Sequence, residues 1–170
     1  IHERLEAIKS ATPLTTDESV IIPHALLAQS LIAQLRVIIE AIEHFDHAIA
    51  EQAQSHPDFS LFDALPGAGP ILTPRLLVAF GEQRERYGSA AEVQTYAGIA
   101  PVLERSGKQS WVHWRCQCPK FLRQTFVEWA TVSIRFSFWA RIYYEQQRDK
   151  GASHQAAVRA LAFKWIRIVF

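Results

Sequence analysis

Residues 59–81 read FSLFDALPGAGPILTPRLLVAFG. Two apolar stretches flank the turn Leu65-Pro66-Gly67-Ala68-Gly69-Pro70. The pattern predicts a short helix over about 59–64 and a second over about 71–80. Gly81 closes the second, because glycine reaches the left-handed backbone region that terminates helices. Two short helices joined this way have the form of a helix-hairpin-helix. Gly67 and Gly69 allow a tight turn and a close approach of backbone to a ligand. Together with Ala68 they are candidate nucleic-acid-binding residues. Free N–H groups and the dipole at the start of the second helix favour a phosphate. Such a contact grips the nucleic-acid backbone without reading its bases. Arg75 is the first cation after the turn. The same residues also suit a plain turn between helices with no ligand.

Downstream, Ser89-Ala90-Ala91-Glu92 is a capping box that starts another short helix, ending near Tyr96-Ala97-Gly98. Residues 99–119 read as a loop with short β-like pieces around Trp111-Val112-His113-Trp114. A long helix is expected over 119–148, where Phe121, Leu122, Phe126, Trp129, Val132, Phe136, Trp139 and Tyr143 form an aromatic face. Lys150-Gly151 breaks it. Ser153 then caps a last helix carrying Val158, Leu161, Ala162, Trp165, Ile166 and Val169. Upstream, residues 1–22 suggest a short helix and a loop through Thr15-Thr16-Asp17-Glu18-Ser19, after which Pro23 opens a long helix over 24–52. In it, Leu31, Leu35, Ile38, Ile42, Phe45 and Ile49 recur at spacings of four and three, an a/d seam. The helix is expected to stop before His56-Pro57. The fold class is all-α: a long heptad helix, then a compact helical domain with a helix-hairpin-helix and two long C-terminal helices. The expected division is 1–57, a linker and oligomerisation segment, and 58–170, the main domain.

A hydrophobic fraction of 49% against 21% charged residues places the chain among globular rather than disordered sequences. Its net charge of +1 conceals an asymmetry. Residues 1–63 hold three Lys/Arg against ten Asp/Glu, whereas 64–170 hold 15 against seven. Eleven of those 15 are Arg, which suits bidentate phosphate contact. The second half is therefore expected to meet a polyanion. Cys116 and Cys118 form a lone C-x-C pair, poor as a zinc site and fitting free thiols in a reducing cytoplasm. No uninterrupted apolar run long enough to span a membrane is read, so no membrane partner is expected. The chain starts at Ile and has no Met, which reads as a fragment of a longer protein.

The loop over 101–110 carries a possible nucleophile. Ser106 beside Gly107 presents a hydroxyl in a basic setting, and Ser110 is its nearby competitor. Arg105 and Lys108 would stabilise charge that develops on a phosphoryl group. Ser-Gly in a loop also makes an ordinary turn. Trp111, His113, Trp114 and Arg115 form an aromatic-basic stretch suited to stacking bases, with at least one tryptophan expected to pin the loop to the core. His113 reads as a structural residue. Lys120, Arg123, Arg159, Lys164 and Arg167 would make a phosphate-facing stripe or a solvated face. Glu92, Glu104, Glu128 and Asp149 fall in separate elements and form no two-metal carboxylate set. No metal ligand is assigned.

The order Leu65-Pro-Gly-Ala-Gly-Pro-Ile, Tyr96-Ala-Gly-Ile-Ala-Pro101, Arg105-Ser-Gly, Leu122-Arg123, then Gly151 and a basic final helix resembles one family. It is similar to the C-terminal transposase domain of the insertion-sequence family numbered one hundred and ten, in its eleven-eleven subgroup. The resemblance covers roughly 59–170, and the heptad helix before it is similar to that family's coiled coil. It implies a RuvC-like N-terminal domain, outside this chain, whose DEDD carboxylates hold magnesium. It implies a nucleophilic serine corresponding to Ser106, DNA as substrate, a structured guide RNA, and a homodimer or tetramer assembled through 24–52. A cytoplasmic, nucleoid-associated protein follows, with no cofactor in this part. Alone, this part is expected neither to cut nor to join DNA. Cys116-Gln117-Cys118-Pro119 stands where a Lys-Gly pair is common, so no backbone-contacting Lys carries over there. The other reading is a non-catalytic helix-hairpin-helix module for nucleic-acid binding and oligomerisation.

Overall fold

The computed structural model describes residues 2–12 and 14–170. Contacts divide the chain into two compact units, Ile1–Ala48 and Ile49–Phe170. Eight helices and one two-stranded hairpin are described, in agreement with the all-α class.

The first unit contains α1 (His2–Lys9) and most of α2 (Glu18–Gln54). α2 starts five residues before Pro23, where the sequence reading placed its start. The cause lies in the polar cluster read as loop. Asp17 accepts hydrogen bonds from the Ser19 N–H at 2.9 Å and the Ser19 hydroxyl at 2.7 Å, which caps the helix. Those bonds also hold the Asp17 carboxyl below its usual range. Pro23 is then carried inside the first turns. The seam residues Leu31, Leu35, Ile38, Ile42, Phe45 and Ile49 are all exposed, so α2 does not bury its apolar face. One 18-residue window of α2 is also long and apolar enough, by length and composition, to cross a membrane. The expectation concerned an uninterrupted apolar run, and this window is not one. Ile and Leu clusters raise the window's average, although polar Gln29, Ser30 and Gln34 interrupt the run.

The second unit is built on α6 (Lys120–Phe136). Leu122, Phe126, Trp129 and Ser133 recur at helical spacing and are buried on one face. α4 (Gly69–Phe80) and α8 (His154–Val169) pack against α6, and α3 (Phe59–Asp63) pairs with α4. α5 (Ala90–Tyr96) and α7 (Phe138–Asp149) also pack on α8. Ala130, Ala140, Ala157 and Ala162 are fully buried, small residues that let these helices approach closely. Leu76, Phe62, Leu161 and Ile166 complete the core. Ser133, a buried polar residue of α6, is hydrogen-bonded on both sides. The Trp165 indole donates to the Ser133 hydroxyl at 2.8 Å, which donates to the Ala130 carbonyl at 2.8 Å.

The single helix expected over 119–148 is two helices. Ser137 is extended, with φ −123° and ψ 119°, and its side chain accepts from the Ala140 N–H to start α7. The aromatic face therefore does not continue through the break. Phe136 and Phe138 stand on the surface, while Phe126 and Trp129 are enclosed. The other local signals read correctly. Ser89 accepts from the Glu92 N–H, and the Glu92 carboxylate accepts from the Gly88 N–H at 3.0 Å. Gly81 closes α4 with φ 70°, and its N–H donates to the Leu77 carbonyl. Ser153 caps α8.

Candidate nucleic-acid interface

The segment read mainly as loop is an antiparallel β-hairpin, β1 (Val102–Ser106) with β2 (Gln109–His113). Gly107 and Lys108 make its two-residue turn, and Gly107 has φ 60°. Glycine at the first turn position suits the twist of a tight hairpin. Ser106 therefore stands at the tip, opposite Gln109, with its side chain in an exposed strand end.

The register sorts the candidate residues by face, because successive strand residues point to opposite sides. Glu104, Ser106, Gln109, Trp111 and His113 share one face. Arg105, directly opposite Ser110, lies on the other. The structure thus pairs Arg105 with Ser110 rather than with Ser106. Lys108 occupies the turn beside Ser106. His113 Nε2 lies 2.9 Å from a Glu104 carboxylate oxygen, a structural cross-strand contact, as expected.

The hairpin's exit is anchored by Gly98. Gly98 has φ +71°, and a Cβ there would stand 2.4 Å from Cys118 Sγ and 2.7 Å from its Cβ. Only glycine fits, so Cys118 locks the segment 115–118 over the end of α5. Gln94 ties the same corner to α8: its side-chain amide donates to the Phe163 carbonyl at 2.7 Å, and its own carbonyl accepts the Ile99 and Ala100 N–H groups.

That anchoring brings Trp114 to α6 and α8. Neither Trp111 nor Trp114 enters the core, contrary to expectation; both remain exposed. Trp114 is instead covered by cations. The Arg159 guanidinium lies over its ring, and Arg123 approaches within 5.8 Å of the ring centroid. Arg123 also donates to the Arg115 carbonyl at 3.4 Å. Partial burial, and then the charge of Arg123, pull the Arg159 guanidinium down to about 10. Trp114 and Arg123 line a recess of about 480 Å³ with Thr131, His154 and Gln155. His154 Nδ1 lies 2.8 Å from the Tyr144 hydroxyl. Arg123 and Arg159 thus meet at one tryptophan, with the Arg115 backbone beside them. Lys120 stands exposed at the start of α6, and Lys164 lies 6.0 Å from the Tyr143 ring. Thr131, His154 and Gln155 were missed by the sequence reading, since nothing local marks them.

The helix-hairpin-helix residues are divided in role. The turn packs on α6, where the Trp129 indole donates to the Pro66 carbonyl at 3.1 Å. A Cβ on Gly67 would stand 2.8 Å from Val132 and 2.9 Å from Phe136, so its close approach is to α6. Ala68 is buried. Gly69 has open space beside it, at the N-terminus of α4. Arg75 is engaged inside the chain, ion-paired with Glu128 and donating to the Thr125 hydroxyl at 3.3 Å.

The Gln124 amide, and then Arg75, hold the Glu128 carboxyl below its usual range, against the opposing effect of burial. A carboxyl depressed by folding stabilises the fold above its ordinary value of 4.5 and loses that contribution as pH falls through the lower folded value. Glu128→Gln is therefore expected to lower Tm at neutral pH, and the difference from the parent is expected to vanish on acidification. An equal deficit at every pH would exclude the charge as its cause.

Comparison with known proteins finds a matching family and several relatives. Residues 60–145 match the model of the transposase IS116/IS110/IS902 family. The chain is similar to the mini-circle putative transposase for IS117 of Streptomyces coelicolor, at 31% identity over 143 residues, which cover 84% of this chain and 34% of that protein. It is similar to the IS900 uncharacterized 42 kDa protein of Mycobacterium paratuberculosis, at 31% over 156 residues, 88% of this chain and 39% of that one. The IS116 uncharacterized 44.8 kDa protein of Streptomyces clavuligerus is 26% identical over 158 residues, 90% and 39% of the two chains. The matched part spans little more than a third of each of these relatives.

Proposed function

We propose, from the premise that this chain belongs to the transposase IS116/IS110/IS902 family, that it is the part of a DNA transposase that grips nucleic acid and supplies a serine nucleophile, Ser106. The observation that carries the reading is the hairpin. It presents the Ser106 hydroxyl at an exposed tip, beside a flexible cation on Lys108, on a segment locked in place through Gly98. A serine oxygen there attacks a DNA phosphorus, displaces a sugar oxygen as a free hydroxyl, and remains joined to the strand through a phosphoserine diester. Lys108 offsets charge that builds on the phosphoryl oxygens. Arg105 reaches the same phosphate only across the hairpin's edge, and belongs more naturally with Ser110.

The remaining parts of the reading rest on the family. Magnesium would be held by carboxylates of a domain outside this chain. A structured guide RNA would select the target. The exposed seam of α2 would join copies of the protein into a dimer or tetramer, burying the Leu and Ile residues it presents. A protein of this kind works in the cytoplasm, on the nucleoid. The 170-residue chain on its own would neither cleave nor join strands.

Covalent trapping tests the nucleophile. Full-length protein is incubated with a nicked DNA substrate that cannot religate, digested with protease, and the nucleotide-bearing peptide sequenced by mass spectrometry. The adduct is expected on Ser106. An adduct on Ser110 would transfer the role to the opposite hairpin face, and cleaved substrate with no protein adduct would remove serine catalysis. In that last case the helix-hairpin-helix reading remains, with Gly69 as its open position.

A further inference from the structure

Two recesses are linked through the contact of Arg159 with Trp114. The polar one is described above. The other, of about 260 Å³, is lined almost wholly by apolar side chains, including Ile99, Val112, Tyr143, Ala160 and Phe163. Arg159 lines this second recess and lies on Trp114, which lines the first. Among the described residues, no carboxylate lines either one. Arg123 and Arg159 both approach the Trp114 ring, and among the described residues neither lining supplies them a counter-charge. Arg159 Nε is enclosed and has no hydrogen-bond partner among the described residues. Two converging guanidiniums, one with an unspent buried donor, are an arrangement that an oxyanion completes. The contact with Trp114 holds the Arg159 guanidinium beside Arg123.

We propose that this double recess holds one unstacked nucleotide of a single strand, with its phosphate between Arg123 and Arg159 and its base in the apolar recess beside Tyr143 and Phe163. This rests on the nucleic-acid reading above and adds a specific place and strand type. A base inside a duplex must first lose its stacking and pairing to turn into such a recess. A base in a single strand or an RNA loop turns freely and gains from apolar and aromatic enclosure. The site is an anchor and takes no part in bond breaking.

The test is fluorescence anisotropy of the full 170-residue chain against a short labelled oligothymidine and a duplex of equal length, over a salt series. The parent is expected to prefer the single strand. Arg123→Ala and Arg159→Ala are each expected to weaken single-strand binding about tenfold and to flatten the salt dependence by about one phosphate contact. Ala160→Leu fills the apolar recess and is expected to abolish the preference for single strand over duplex. Because that variant also touches packing, 2-aminopurine in the parent complex gives a second reading. Its emission is expected to change on binding to the parent and not with Arg159→Ala. Unchanged affinity and salt slope in both arginine variants would overturn the anchor while leaving nucleic-acid binding standing. Equal affinity of the parent for duplex and single strand would overturn the base recess. A parent with no salt-dependent affinity for either would overturn both the anchor and the reading it rests on.

Discussion

Full-length protein with Ser106→Ala is expected to bind its nucleic acid within about twofold of the parent and to lose strand exchange by about 10⁴-fold or more, the scale of losing a nucleophile. The two halves of this result have separate physical causes. Ser106 sits at the hairpin tip, and its side chain is exposed, so removing one oxygen leaves no cavity and strands no buried partner. Binding depends on cations elsewhere, at Arg123, Arg159 and their neighbours. Chemistry depends on an oxygen that alanine lacks. Ser110→Ala is the matched control, because it removes the same atom from the opposite face one rung further along the ladder. It is expected to retain exchange. Retained exchange in Ser106→Ala, or its loss only in Ser110→Ala, would sink the assignment. Strand-transfer products resolved on a gel, with binding measured in parallel, give both quantities from one preparation.

Trp129→Ala is expected to destabilise the second unit by about 3–5 kcal/mol, which is the usual cost of emptying a buried Trp site. Trp129 is fully buried, its ring centroid lies 5.0 Å from that of Trp165, and its indole N–H binds the Pro66 carbonyl. The substitution leaves a cavity between α6 and α8 and an unpaired carbonyl in the α3–α4 turn. For a domain whose total stability is about 5–15 kcal/mol, that loss approaches the whole margin. Chemical denaturation followed by tryptophan fluorescence measures it. Trp129→Phe keeps most of the packing and removes the hydrogen bond, with an expected cost of about 1–2 kcal/mol. A shift below about 1 kcal/mol for the alanine variant would show that the turn does not depend on this indole.

The second result bears on how a helix-hairpin-helix pattern is to be read. Leu65-Pro66-Gly67-Ala68-Gly69 has the residues expected where backbone approaches a phosphate. In the fold, Gly67 spends its missing Cβ on contact with Val132 and Phe136, and Pro66 spends its carbonyl on Trp129. Arg75, the nearest cation, is spent on Glu128. Only Gly69 retains open space. Arg123 and Arg159 meet instead at Trp114, where the hairpin leaves toward α6.

Everything legible in the sequence was local. Helix ends at Gly81, Ser89 and Ser153 were readable because a cap or a left-handed glycine acts within four residues of itself. The seam of α2 was readable because its period of three and four is a property of one helix. The exceptions were also local in kind: Asp17 and Ser137 cap helices through a single side-chain oxygen each, a signal masked by the polar or aromatic residues around it. Tertiary structure alone decided the rest. Hairpin register set Arg105 against Ser110 and left Ser106 on the other face. Packing of α4, α6 and α8 turned Gly67 inward and paired Arg75 with Glu128. Trp114, Arg123 and Arg159 come from a loop and two helices, and no period or spacing links them. Their meeting depends on Gly98 admitting Cys118, a contact between residues 20 positions apart that only the folded chain can make.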